Sequence, residues 1–171
     1  MLRRGVFFFI LIAVFTMPAM AQYRGQTAFA LGPAIVFPTE SKADLGLGVH
    51  GQFEYYLSHR WSLGIDSALQ WARSGQNRLN HAYVGILTGF HFDLGRWHPL
   101  FEGGVAIYRV EEKREKRGTK RETALGAHFG VGIEYFFRPT VSVRWLLEGH
   151  DVFSDLKGSF IASTVTVRFY F

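Results

Sequence analysis

The residues best equipped for chemistry cluster towards the end of the chain: His128, Glu148, His150 and Ser154. An imidazole beside a carboxylate can do acid–base work, and a serine beside an imidazole can attack an acyl carbon. Two imidazoles and a carboxylate also form an N/O set able to hold zinc. Each reading depends on where the backbone delivers these groups. If two extended segments meet at a short turn over Arg138–Thr140, His128 stands opposite His150 and Glu148 opposite Gly130, so His128, His150 and Glu148 are candidate metal ligands, though no family spacing motif marks them. A hydrolase reading takes His150 as base and Ser154 as nucleophile, with Glu148 in support. Residues four apart on one strand are separated by about 13–14 Å, so this reading requires the chain to fold back after the strand. Ser163 shares a face with Phe169 and Phe171 and is expected to look away from any such site.

The elements that carry these residues alternate. From Leu45 to Leu57 one face reads Leu45, Leu47, Val49, Gly51, Phe53, Tyr55, Leu57, and the other Gly46, Gly48, His50, Gln52, Glu54, Tyr56. Period two over that length is a strand signature, and no helical stripe follows residue 21. The string Gly46-Leu47-Gly48-Val49-His50-Gly51 matches a dinucleotide fingerprint, but that motif needs a helix after it, and alternation continues instead. No cofactor is expected. The same reading predicts eight strands, near 27–37, 45–57, 61–72, 81–93, 99–109, 124–137, 141–150 and 159–171. Their connections alternate between long polar ones (38–44, 73–80, 110–123, 151–158) and short ones (58–60, 94–98, 138–140). This is an up-and-down meander. Pro33 inside the first strand lacks an N–H and predicts a bulge or break there.

Composition decides which face is inside. Arg3 and Arg4, the apolar run Val6–Phe15 and Ala19-Met20-Ala21 make residues 1–21 a secretory signal, too short to span a bilayer, leaving 22–171 as one barrel domain. Without Arg3 and Arg4 the basic residues number 17 against 14 acidic, a net +3. The mature part holds 24 of the 28 aromatic residues and no cysteine. An eight-stranded barrel cannot hold that aromatic load inside. Glycines and polar residues fit there, so the apolar faces must point outward into lipid, and closure pairs every backbone group. The fold expected is an all-β, eight-stranded antiparallel transmembrane barrel.

The last strand sets Val165, Val167, Phe169 and Phe171 against Thr164, Thr166, Arg168 and Tyr170. With Phe53-Glu54-Tyr55-Tyr56-Leu57 running into Trp61-Ser62-Leu63-Gly64, and with Gly130-Val131-Gly132-Ile133-Glu134-Tyr135, it resembles the small outer-membrane barrels typified by OmpX and the membrane domain of OmpA. The resemblance spans residue 27 to the end. It implies the outer membrane of a Gram-negative-type cell, assembly through machinery that reads the strand ending in Phe171, contact with lipid and lipopolysaccharide, a monomer, and roles such as adhesion or envelope integrity rather than catalysis. A lipid A deacylase-like enzyme and a narrow gated pore are the rival readings. The His-x-Ser-Asn arrangement of such deacylases is missing, as is the soluble domain that follows the barrel in full OmpA-like proteins.

Two charged sets remain. Inward-facing Glu54, Asp66, Glu102, Glu134, Arg144, Glu148 and Arg168 are expected to pair within the lumen, with Glu134 opposite Arg144 and Arg168 beside them. The segment Arg109–Glu122 holds seven Lys or Arg and four Asp or Glu, a net +3 that equals that of the whole mature chain. It reads as a solvated external loop whose Lys113, Arg114, Lys116, Arg117, Lys120 and Arg121 suit phosphates of lipopolysaccharide or a polyanionic host ligand. It has no aromatic residue on which bases could stack, so nucleic acid is not an expected partner.

Overall fold

The computed structural model describes residues 24–39, 44–74, 77–114, 118–154 and 159–171. The expected export signal lies outside them. Eight strands follow in order: β1 Thr27–Pro38, β2 Gly46–Tyr56, β3 Trp61–Ser74, β4 Asn77–His91, β5 Trp97–Arg114, β6 Gly118–Arg138, β7 Val141–Val152 and β8 Phe160–Tyr170. Each pairs antiparallel with the next, and β8 returns to β1 to close the barrel. The seam is completed by the terminal residue: Phe171 N–H donates to Thr27 O at 3.1 Å, and Thr27 N–H to Phe171 O at 3.0 Å.

Alternation sorts the side chains as the sequence predicts. On β2, Gly46, Gly48, His50, Gln52, Glu54 and Tyr56 are buried, while Leu47, Val49, Phe53 and Tyr55 are exposed. The outer wall is apolar around the barrel, from Leu31 and Ile65 through Val105 and Phe129 to Trp145 and Val167. Near the short turns it carries edge-on aromatic contacts, Trp61 with Phe90, Phe90 with Phe92 and Phe92 with Phe101, as expected of an interfacial girdle. Ser163 is on the outer face, where its Oγ accepts the Trp145 indole N–H at 3.0 Å.

The lumen is filled in layers. At the end with the short turns, Ala28, Tyr56, Phe136 and Tyr170 form an apolar layer. At the far end Val36, Leu79, Tyr83, Tyr108, Val110, Val152 and Phe160 form another. The buried acidic and arginine side chains lie between the two, while His98 reaches the Gly95 turn at one end and His81 packs on Phe160 at the other.

Three details differ from the sequence reading, and the interruption expected at Pro33 is present. Strands β3 and β4 continue to Ser74 and from Asn77, with Ser74 opposite Asn77, so the expected loop 73–80 is mostly strand. Strands β5 and β6 likewise run to Arg114 and from Gly118, so the expected loop 110–123 is a hairpin in which Glu111 opposes Arg121 and Glu112 opposes Lys120. Beyond the bilayer a strand has water on both faces, so polar composition there does not signal a loop; Gly118, at φ +81°, supplies the left-handed residue at the tip. At the other end Arg138, not Phe137, faces Val141, and Phe137 is an extra bulge residue before a two-residue Pro139–Thr140 turn. Pro33 causes a break without a bulge: β1–β8 pairing skips Gly32 and Pro33 and resumes in register at Ala34, while β1–β2 pairing is uninterrupted.

Candidate functional site

One layer of the lumen is built around two arginines. Arg144, on β7, reaches across to three other strands: Nη1 lies 2.8 Å from Glu54 Oε1 and 3.0 Å from Glu102 Oε2, and Nη2 lies 3.0 Å from Glu134 Oε2. Arg168 stands 2.9 Å from Glu54 Oε1 and donates from Nη1 to Gln52 Oε1 at 2.6 Å. Gln52 returns its amide N–H groups to both oxygens of Glu102 at 3.2 Å. Glu134 also accepts hydrogen bonds from Ser142 and Tyr170 hydroxyls. All of these side chains except Gln52, Tyr170 and Glu102 are at most 1% exposed, and those three at most 4%. The five network residues named from the sequence, Glu54, Glu102, Glu134, Arg144 and Arg168, thus meet in one place. A guanidinium offers five N–H groups in a rigid fork, which is why one arginine can serve three carboxylates.

Asp66 and Glu148 do not join it, contrary to the expectation that all inward carboxylates pair. None of their four oxygens makes a hydrogen bond of normal geometry among the described residues, although Tyr83 stands close to Asp66 and Glu102 close to Glu148; the His128 imidazole Nε2 lies 3.8 Å from Asp66 Oδ2. Ligand atoms of His50, Asp66 and Glu148 lie within 4.8 Å of one another, all buried. The register pairs His128 with His150 as predicted, and their rings are 5.5 Å apart, but the carboxylate of Glu148 turns towards His50 and Asp66. Sequence reasoning placed His50 and Asp66 inside the barrel without linking them to Glu148. No local spacing could have done so, since β2, β3 and β7 are brought together only across the lumen.

The hydrolase residues part company. His150 Nδ1 is hydrogen-bonded to the Tyr108 hydroxyl at 2.9 Å, and its ring stacks on Phe160 at 4.3 Å. Ser154 lies beyond the end of β7, where its N–H donates to Val152 O at 2.8 Å. Of the basic set, Lys113, Lys120 and Arg121 are exposed on the projecting hairpin, and Arg121 Nε is 2.8 Å from Glu111 Oε2. Arg114 ends β5, and Lys116 and Arg117 lie outside the described residues. With 18 residues, β5 is about eight longer than a bilayer span requires. Its hairpin partner β6 pairs with β7 only from Gly126 onward, with one further hydrogen bond from Phe153 N–H to Leu125 O at 2.9 Å, so Gly118–Ala124 extend past that pairing.

A closed antiparallel barrel with a continuous apolar exterior, an aromatic girdle and a packed polar interior is an integral outer-membrane protein. The chain belongs to the outer membrane protein beta-barrel domain family, whose model matches residues 7–169. No curated protein matches it in sequence. Among solved structures it is similar to Ail, the attachment invasion locus protein of Yersinia pestis, at 12% identity and a TM-score of 0.64, covering 86% of this chain and 99% of Ail. It is also similar to Neisserial surface protein A, at 11% and 0.67 over 85% and 97% of the two chains. The N-terminal barrel of Pseudomonas aeruginosa OprF aligns at 15% and 0.60 over 87% and 98%. A further Ail structure is a complex with the heparin analogue sucrose octasulfate.

Proposed function

We propose that this protein is a non-enzymatic, monomeric surface-interaction barrel whose projecting β5–β6 hairpin binds anionic saccharides, the phosphorylated sugars of lipopolysaccharide or sulfated glycans. The observation that carries this reading is the hairpin itself: a stiff two-stranded extension beyond the bilayer, bearing a net +3 over Arg109–Glu122 on an otherwise neutral mature chain. The cross-strand ion pair Glu111–Arg121 takes up one of its basic charges, leaving Lys113 and Lys120 among the exposed cations of the hairpin. Short turns and both chain ends face the periplasm in this reading, and the strand ending in Phe171 is the segment the assembly machinery engages. Residues 1–21 are removed on export. The Ail complex with sucrose octasulfate supports the chemistry by analogy of fold. The apolar layers at the two ends of the lumen speak against a conducting pore, and the engagement of His150 with Tyr108 and Phe160 speaks against a serine hydrolase.

Detergent-extracted protein should be retained on immobilised heparin and on lipopolysaccharide micelles and be released by salt. Replacing Lys113, Lys116, Arg117 and Lys120 by Gln should abolish retention while the protein keeps its heat-modifiable migration. Unchanged retention would refute the assignment to the hairpin; retention by lipopolysaccharide alone would identify the ligand as the bacterium's own surface.

A further inference from the structure

Among the described residues the lumen buries more acidic side chains than its arginines can pair. Buried acidic side chains are Glu54, Asp66, Glu102, Glu134 and Glu148, against Arg144 and Arg168 as the buried guanidinium groups. Both arginines are spent on Glu54, Glu102 and Glu134. Asp66 and Glu148 therefore remain as two carboxylates, 1% and 0% exposed, with all four oxygens lacking a hydrogen-bond partner among the described residues. Burying an unpaired carboxylate is costly, and two together cost more.

Beside them is an imidazole with the same property. His50 is 1% exposed, both of its ring nitrogens lack a partner, and one lies within 4.8 Å of oxygens from both Asp66 and Glu148. His128, whose two ring nitrogens are also unpartnered, reaches to 3.8 Å of Asp66. Three buried ligand atoms within 4.8 Å of one another, two of them from carboxyl groups, with a fourth imidazole beside Asp66, are what a dication requires.

The backbone makes room for these side chains. A Cβ on Gly85 would lie 2.8 Å from Asp66 Oδ1, one on Gly104 2.8 Å from His128 Nε2, and one on Gly130 2.8 Å from Glu148 Cγ. Each candidate ligand except His50 thus occupies space that a glycine on the neighbouring strand leaves open.

We propose that the lumen of this barrel binds a divalent transition-metal ion through His50, Asp66 and Glu148, with His128 as fourth ligand. The mixed imidazole–carboxylate set, without thiolate, favours an ion of the zinc or manganese type over calcium or magnesium, which prefer oxygen alone. With metal bonds of about 2.0–2.2 Å, the side chains close in by about an ångström on binding. The ion ties β2, β3 and β7 together across the lumen, and its role is structural: the apolar layer of Tyr83, Tyr108 and Phe160 separates it from the far mouth. This inference is independent of the hairpin's ligand.

The test uses Zn2+ alone. The protein is extracted in detergent, and in parallel refolded with Zn2+ present; after desalting, metal content is measured by elemental analysis on the heat-modifiable, folded fraction. One zinc per chain is expected in at least one preparation. Asp66→Asn with Glu148→Gln should abolish retention, His50→Ala should weaken it by about tenfold or more, and His81→Asn, which alters a lumen histidine outside the cluster, should retain it. Urea unfolding adds a second readout. In EDTA the Asp66→Asn, Glu148→Gln protein should be at least as stable as the unmodified one, because two buried carboxyl groups without a cationic partner are gone; with Zn2+ the order should reverse. Folded protein that retains no zinc from either preparation, or a double variant that retains as much as the original, would overturn the proposal.

Discussion

Two layers of one lumen, a few residues apart along the same strands, solve the same problem differently. Around Arg144 and Arg168 every carboxylate finds a guanidinium, and Gln52, Ser142 and Tyr170 fill the remaining hydrogen-bonding positions. Around Asp66 and Glu148 the same barrel supplies imidazoles and glycines, and among the described residues no guanidinium or ammonium lies within ion-pair distance of either, only the His128 imidazole at 3.8 Å from Asp66. The first layer is self-sufficient; the second is complete only with a cation from outside. Burial alone does not explain the difference, since both layers are sealed from solvent. What differs is whether an arginine reaches the carboxylates.

The largest effect should come from breaking the self-sufficient layer from one side. Arg144→Ala leaves Glu54, Glu102 and Glu134 short of a partner and should cost about 3–5 kcal/mol in urea unfolding in detergent or lipid. Removing both charges with Glu134→Gln and Arg144→Met should be milder, at about 1–3 kcal/mol, because Arg168 still pairs with Glu54. A double variant as unstable as the single would show that the pair is not the unit of stabilisation. In the other layer the sign should change: with chelator present, Glu148→Gln should be neutral or stabilising by about 1 kcal/mol, since it removes a buried carboxyl group that no cationic side chain reaches. A loss comparable to that of Arg144→Ala would erase the distinction between the layers. The smallest effect belongs outside the lumen altogether. Trypsin applied to intact cells should cut first between Lys113 and Arg121, and shortening the hairpin there should change stability by about 0.5 kcal/mol or less. Cutting only after lysis would mean the hairpin faces the periplasm.

Much of this architecture is legible in the sequence for a simple reason. Alternation assigns each strand residue to lipid or lumen, and a short turn fixes which residues of a hairpin face each other. Glu134 opposite Arg144, and His128 opposite His150, follow from counting outward from one turn, and the Phe137 bulge beyond them leaves that register intact. The upper halves of β5 and β6 were hidden because, above the bilayer, the outer face no longer needs to be apolar and the period-two signal vanishes, although backbone pairing continues to Arg114 and Gly118.

The sequence by itself determined the strand count, the sidedness of every membrane residue and the chemistry available inside the barrel. Only closure decided which of those residues meet. Arg144 on β7 touches Glu54 on β2, and Glu148 on β7 converges with His50 on β2 and Asp66 on β3, because the staggers of all eight pairings add up around the barrel before opposite walls face each other. A single hairpin carries one of those staggers, so no stretch of local sequence contains the cross-lumen contacts from which both layers are built.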